Sequence, residues 1–302
     1  MSDKTWTIQE ALNWTINYLE QKGDEHARRS AQYLLSFATG LSRIEVYAYF
    51  DRPLSAQERT RLREALKIRA TGAPLQYACG EAPFRYLTLK VTQSVLIPRP
   101  ETEMLVDLVL AYLKECSAEQ GENTAPVVAD IGTGSGCIAL SIASEHEAAR
   151  VWASDISGEA LNVARENTQA LNLEERVSLL GGNLAEPVFA ALAQAGIAHI
   201  DVLVSNPPYI PQSGMETLPA DVANFEPHEA LAGGEDGLDL FRELIEQVRS
   251  FMAGGGTVGM MALELDERNV EGAAEYLRGQ QMFSSVEVVC DLTRRPRFLV
   301  AK

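Results

Sequence analysis

Residues 205–209 read Ser-Asn-Pro-Pro-Tyr and directly follow the apolar run Val202-Leu203-Val204. Two consecutive prolines stiffen the turn that leaves such a strand and remove two N–H donors from it. What remains is an edge of carbonyl acceptors beside the Asn206 side-chain amide, with the Tyr209 ring next to it. A planar –NH2 group finds acceptors for both hydrogens there, one on the Asn206 side chain and one on the Pro207 carbonyl. Pro208 and Tyr209 complete the expected substrate contacts, the ring packing on the flat group. An amide or aromatic-amine nitrogen is a poor nucleophile, because its lone pair is delocalised and no side-chain base can ionise it. Two acceptors aim that lone pair at an electrophile, so positioning carries the catalysis, with Asn206, Pro207 and Tyr209 as the catalytic set. The bland alternative, a plain turn of turn-forming residues, is disfavoured by the motif's place straight after a buried strand.

A second group of residues is suited to holding a nucleoside. Asp130-Ile131-Gly132-Thr133-Gly134-Ser135-Gly136 follows the run Val127-Val128-Ala129 and opens a helix at Cys137. Glycines in such a turn let a ligand approach bare backbone. The spacing is G-x-G-x-G, whereas a nicotinamide enzyme would show G-x-G-x-x-G. Asp155 ends the next strand, where a carboxylate can accept both ribose hydroxyls; the same residue could instead cap the helix that follows. Asp130 could likewise brace the loop. Gly182-Asn183, after the third strand, offers an amide to an adenine. The G-x-G-x-G arrangement resembles the nucleoside-binding loop of the seven-stranded methyltransferases. That resemblance implies S-adenosylmethionine as cofactor, held by Gly132, Thr133, Gly134, Ser135, Gly136, Asp155, Asn183, Leu184 and Asn206. The electrophile offered to the –NH2 group is then a sulfonium methyl.

These groups must be positioned by the elements around them. Residues 1–80 carry three capping-box patterns, Thr7 to Glu10, Ser42 to Glu45 and Ser55 to Glu58. Apolar residues recur at helical spacing at Ile8, Leu12, Ile16 and Leu19, at Ala27, Ala31, Leu34 and Leu35, and at Leu62, Ala65 and Leu66. The spacing predicts a small helical bundle, either a scaffold or a docking module for a protein substrate. Residues 81–97 read as a β-hairpin linker, one strand over Phe84–Val91 and the other over Val95–Ile97. From Pro98 onward a helix through Met104, Leu105, Leu108 and Leu113 leads into strands alternating with helices up to residue 302. That alternation predicts an α/β domain with a mostly parallel sheet, its ligand at the C-terminal strand ends. The polar stretch Ser117–Thr124 is expected to be a surface loop.

The composition narrows the partners. With 302 residues the chain has room for one large and one smaller domain, and 46% hydrophobic with 23% charged residues is an ordinary globular mix. The formal net charge of −16 favours a protein or small-molecule partner over direct binding of nucleic acid. No apolar run approaches membrane-spanning length, and Met1-Ser2-Asp3-Lys4 opens no signal core, so a cytoplasmic location is expected. Cys79, Cys116, Cys137 and Cys290 are scattered, and His26, His146, His199 and His228 are isolated, so no metal site is expected. Glu226 and His228 either line the substrate entrance or belong to a solvated loop.

Over nearly its whole length the chain resembles the bacterial release-factor glutamine methyltransferases. The resemblance is carried by Ile97-Pro98-Arg99-Pro100-Glu101-Thr102-Glu103, the Gly132–Gly136 loop, Asp155, Asn206–Tyr209, Glu226-Pro227, Ala230-Leu231 and Gly233-Gly234. It implies a seven-stranded Rossmann-like domain over 98–302 and methylation of the glutamine in the Gly-Gly-Gln loop of peptide-chain release factors. It also implies that the helical domain helps to dock that substrate. The Asn-Pro-Pro-Tyr motif is shared with adenine-specific DNA or RNA methyltransferases and with ribosomal-protein glutamine methyltransferases, which remain the alternatives; the 97–103 box is narrower. The chain departs from the family in having Asn183-Leu184 for the usual Asp-Trp, no glycine after Glu264, and no glycine within Asp291–Arg297.

Overall fold

The computed structural model describes residues 5–120 and 125–302; Met1–Lys4 and the 121–124 part of the expected loop lie outside the described residues. The chain divides into two compact units, Met1–Glu81 with Ala220–Phe225, and Ala82–Pro219 with Glu226–Lys302.

The first unit is helical: α1 (Ile8–Gln21), α2 (Ala27–Thr39), α3 (Arg43–Ala48), α4 (Ala56–Arg69) and α5 (Leu75–Cys79). All three capping boxes form, the Thr7, Ser42 and Ser55 side chains each accepting from the backbone N–H of the glutamate three residues on. Gly40 closes α2 in the left-handed conformation. Ile8, Leu12, Leu19, Ala31, Leu34, Leu35, Leu62 and Leu66 form the bundle core. The short α5 carries no periodic apolar signal, being five residues long. Ala220–Phe225 groups with this unit although residues on both sides of it belong to the other, and the Phe225 ring lies beside Gly72.

The second unit opens with a hairpin, β1 (Glu81–Phe84) and β2 (Leu87–Lys90). The chain reverses at Arg85-Tyr86, one strand earlier than the sequence suggests, with Arg85 at φ 52°. Neither residue is a customary turn former, so nothing announced the reversal. Val91, Val95 and Ile97 are buried but pair with no strand. Their alternation reports burial rather than a ladder. The helix α6 (Thr102–Gln120) starts at Thr102, because Pro98–Glu101 is spent on successive tight turns. It runs to Gln120, so most of the expected 117–124 loop within the described residues is helix.

After α6 come β3 (Val127–Ile131), α7 (Cys137–Glu145), β4 (Arg150–Asp155), α8 (Gly158–Ala170), β5 (Val177–Gly181), α9 (Glu186–Gln194) and β6 (His199–Ser205). Then follow α10 (Gln212–Met215), α11 (Ala220–Phe225), α12 (Asp239–Ala253), β7 (Thr257–Glu264), α13 (Val270–Gln280), β8 (Val286–Cys290) and β9 (Pro296–Ala301). The seven-stranded sheet runs β5-β4-β3-β6-β7-β9-β8. β9 alone runs against the direction of the other six strands. Consecutive strand residues face opposite cores, as buried central strands require. Val128, Val202, Val204, Met260 and Ala262 pack with α6 and α7, whereas Ala129, Leu203, Met261 and Leu263 pack with α9, α12 and α13. Among the described residues no helix is long and apolar enough to cross a membrane.

Candidate active site

The strand order reverses between β3 and β6, and the site lies at that switch point. Ile131 is level with Ser154 on one side and Ser205 on the other. The next residue of each strand, Gly132, Asp155 and Asn206, therefore leaves the sheet along one edge. The buried Ser205 hydroxyl donates to Ile131 O at 2.6 Å, tying the two central strands together at this level.

The glycine loop is folded back on β4. Gly132 N and Thr133 N both donate to Ser154 O at 2.9 Å. Gly132 and Gly134 have φ of 73° and 56°, and a Cβ at either would meet nothing within 4 Å. Bare backbone thus faces open space, which is the cradle a nucleoside cofactor needs. Gly136 serves packing instead, since its Cβ would stand 2.9 Å from Leu140 Cδ1. Asp130 is fully buried and braces the loop, accepting from Thr133 Oγ1 at 2.6 Å and from Ala139 N at 3.1 Å. Burial pushes its carboxyl up to about 7. Asp155 accepts from Gly134 N at 2.8 Å and from Ser157 N at 2.9 Å. The cap of α8 is Ser157, whose side chain accepts from Ala160 N. Burial raises the Asp155 carboxyl, and the nearby Glu229 carboxylate, which the sequence did not single out, adds to the rise. Ser135 lends its carbonyl to Asn167 Nδ2 at 2.9 Å. Beyond β5, Asn183 donates its amide to Glu243 at 2.6 Å, and Leu184, at φ 47°, accepts the Ser154 hydroxyl on its carbonyl at 2.6 Å.

The turn after β6 is buttressed from three directions. Ile210 N donates to Leu231 O at 3.0 Å and Gly233 N to Ile210 O at 2.8 Å. A Cβ on Gly233 would stand 2.7 Å from Tyr209 Cα and 2.8 Å from Pro208 O, so this glycine lies directly on the turn's backbone. Asn269 Nδ2 donates to Tyr209 O at 3.3 Å. The Tyr209 ring is half-buried against the core of α12 and α13. Burial and the Glu264 carboxylate push its phenol up to about 12, so the hydroxyl stays protonated.

Asn206 is held by residues that sequence reasoning quoted only as parts of motifs. Its Nδ2 donates to Thr102 Oγ1 at 3.2 Å, and the Thr102 hydroxyl donates to Glu264 Oε2 at 2.7 Å. Arg297 Nη1 lies 3.8 Å from Glu264 Oε1, and Arg297 Nε contacts Asp291 Oδ2 at 3.1 Å. Burial pushes the Glu264 carboxyl up to about 7, opposed by the Thr102 hydroxyl and Arg297. The Pro98–Glu103 box thus places Thr102 beneath Asn206. Arg99 of the same box pairs at 2.7 Å with the buried Glu226 from the loop after β6. His228 is exposed in the short turn His228–Ala230.

Residues 10–80 match the family model described as the PrmC N-terminal domain, and residues 108–222 match the methyltransferase small domain. The chain is 38% identical over 98% of its length to the release factor glutamine methyltransferase of Moorella thermoacetica, covering 98% of that protein. It belongs to the release factor glutamine methyltransferase family. The family member of Rhodopirellula baltica is 34% identical over 99% of the chain, covering 97% of that protein. The human MTRF1L release factor glutamine methyltransferase is 31% identical over 97% of the chain, covering 86% of that protein. Among solved structures, the N-terminal domain of human METTL16 in complex with SAH aligns over 80% of this chain and 83% of its own, with a TM-score of 0.51 and 18% identity. The human methyltransferase 10 domain containing protein aligns over 80% of this chain and 96% of its own, with a TM-score of 0.52 and 15% identity. At those identities the two support the family's sheet architecture alone.

Proposed function

We propose that this chain transfers a methyl group from S-adenosylmethionine to the side-chain amide nitrogen of the glutamine in the Gly-Gly-Gln motif of peptide-chain release factors. One observation carries the reading at the level of atoms: the Asn206 amide is tied through its nitrogen to Thr102, which leaves its oxygen to receive a substrate hydrogen. Bound S-adenosylmethionine supplies an electrophilic methyl group on a positively charged sulfur. The protein's own contribution is placement. The backbone of Gly132 and Gly134 and the carboxylate of Asp155 fit a nucleoside at the end of β4, with Thr133, Ser135 and Gly136 shaping the turn. Asn206 Oδ1 and the Pro207 carbonyl accept the two hydrogens of the glutamine –NH2, and Pro208 and Tyr209 bound the slot. No group is asked to ionise the amide: even Asp130 and Glu264, whose carboxyls are pushed up to about 7, are far too weak as bases to take its proton.

Docking of the substrate through the first unit is part of the same reading. Trp14 on α1, Ile44 and Tyr47 on α3, and Tyr49 and Phe50 just after it are all more than 40% exposed, more apolar surface than a mere scaffold needs. At the Asn183-Leu184 departure the Asn183 Nδ2 is engaged with Glu243, so the side-chain oxygen and the backbone are what is left to meet adenine. The test is incubation with labelled S-adenosylmethionine and intact release factor, followed by mass-spectrometric mapping. Label on the Gly-Gly-Gln glutamine supports the reading. Label on another residue, or none while a nucleic acid is labelled, overturns it.

A further inference from the structure

We propose that Thr102 is a positioning residue that decides which end of the Asn206 side-chain amide faces the substrate. The inference rests on the reading of Asn206 as an acceptor for the glutamine –NH2. Its basis is hydrogen-bond direction. An asparagine amide has an acceptor end and a donor end of nearly the same shape, and only the acceptor end suits an incoming –NH2. The Thr102 hydroxyl has one hydrogen and donates it to Glu264 Oε2 at 2.7 Å, and both this bond and Arg297 at 3.8 Å favour the ionised, accept-only form of Glu264 against the burial that opposes it. With that hydrogen committed, Thr102 Oγ1 can only accept from Asn206, and it does so from Nδ2. Among the described residues nothing donates to Asn206 Oδ1, so the acceptor end is the one left over.

The parts of this chain are themselves fixed. Thr102 is 2% exposed and Glu264 is 1% exposed. Thr102 N donates to Arg99 O at 3.1 Å, within the turns of the 98–101 segment. Arg297 beside Glu264 is oriented by Asp291, which also accepts from the backbone of Thr293 and Arg295. Burying a hydroxyl against a carboxylate is a poor way to fill space, because an apolar pair of the same volume would pack at least as well without desolvating a charge. A directional task explains what packing does not. Without Thr102 the Asn206 amide could turn over, and its –NH2 end would then confront the –NH2 of the substrate.

The experiment compares Thr102→Val, which keeps the shape and removes the hydroxyl, with Thr102→Ser, which keeps the hydroxyl. Both are assayed on intact release factor beside the wild-type chain and Asn206→Ala. We expect Thr102→Val to lose on the order of 100-fold in kcat, with the KM for release factor and the Kd for S-adenosylmethionine unchanged, and Thr102→Ser to recover most of the rate. Wild-type kcat in Thr102→Val overturns the inference, as does a Thr102→Ser variant equally slow, or a loss that resides in cofactor Kd. If Thr102→Val does not fold by circular dichroism, Glu264→Gln decides. Its amide can donate to Thr102 and free the hydroxyl hydrogen for Asn206, so a slow, folded variant with native cofactor Kd supports the inference and wild-type kcat refutes it. A wild-type chain that leaves glutamine unmethylated, or an Asn206→Ala variant at full rate, would instead sink the reading of the site itself.

Discussion

Replacing Gly233 by alanine should slow methyl transfer on the order of 100-fold while leaving the affinity for S-adenosylmethionine intact. The added Cβ would lie 2.7 Å from Tyr209 Cα, 2.8 Å from Pro208 O and 2.8 Å from Gly237 O, against 3.4 Å where ordinary contact begins. All three are backbone atoms, so no side chain can swing aside, and either the 206–209 turn or the 233–237 loop must move by several tenths of an ångström. The two are stitched by Ile210 N to Leu231 O and Gly233 N to Ile210 O, so the strain is shared. Overpacking of this kind costs about 1–3 kcal/mol in stability. A displacement approaching an ångström at the reacting group costs about two orders of magnitude in rate. Gly132 and Gly134, in the loop after β3, and Asp155, at the end of β4, should keep their geometry. The assay is single-turnover methylation of release factor, with calorimetry for the cofactor and thermal melting for stability. Gly279→Ala in α13, where a Cβ meets nothing within 4 Å, is the control and should be neutral or slightly stabilising. A Gly233→Ala variant with wild-type melting and wild-type rate would refute the steric account of how the turn is held.

Asp155→Ala should weaken S-adenosylmethionine binding by roughly 1.5–3 kcal/mol, the range for hydrogen bonds to a charged group; unchanged calorimetric affinity in a folded variant removes Asp155 from the site. Asn206→Ala should bind the cofactor almost normally yet lose roughly 100- to 1000-fold in single-turnover transfer, and a near wild-type rate would end the assignment. Asp130 has its carboxyl raised from 3.8 to about 7 in the folded state, so its contribution to stability is present in full below about 3.8 and is lost as pH rises towards about 7. Wild type should therefore lose stability relative to Asp130→Asn between about pH 4 and 7, by a few kcal/mol at most. Parallel melting curves across that window would contradict the raised carboxyl.

Local signals in the sequence were faithful where the chemistry is local. The capping boxes at Thr7, Ser42 and Ser55 need only four residues to form, and all three formed. The strand ends at Ile131, Asp155 and Ser205 were legible because glycine, acid and proline punctuate them. The hairpin within 81–97 was legible, but its point of reversal was not, since the turn at Arg85 relies on contacts far along the chain: Arg85 binds Glu145 at 2.6 Å and Asp107 at 2.7 Å. The Asn206–Thr102–Glu264–Arg297 chain was hidden for the same reason. Its members are separated by 104 and 162 residues where they bond, and no spacing rule reaches so far. Glu264 drew attention only through a missing neighbouring glycine, and Arg297 only as the end of the glycine-less stretch Asp291–Arg297.

The reversed strand β9 sets an order in time. A chain made from its N-terminus can bring Thr102 to Asn206 once β6 exists, and Glu264 joins them with β7. Until β9 inserts between β7 and β8, however, β7 is a bare edge displaying Met260–Leu263, and Glu264 has no Arg297 beside it. The last strand of the chain is thus both the one that seals the sheet and the one that completes the site.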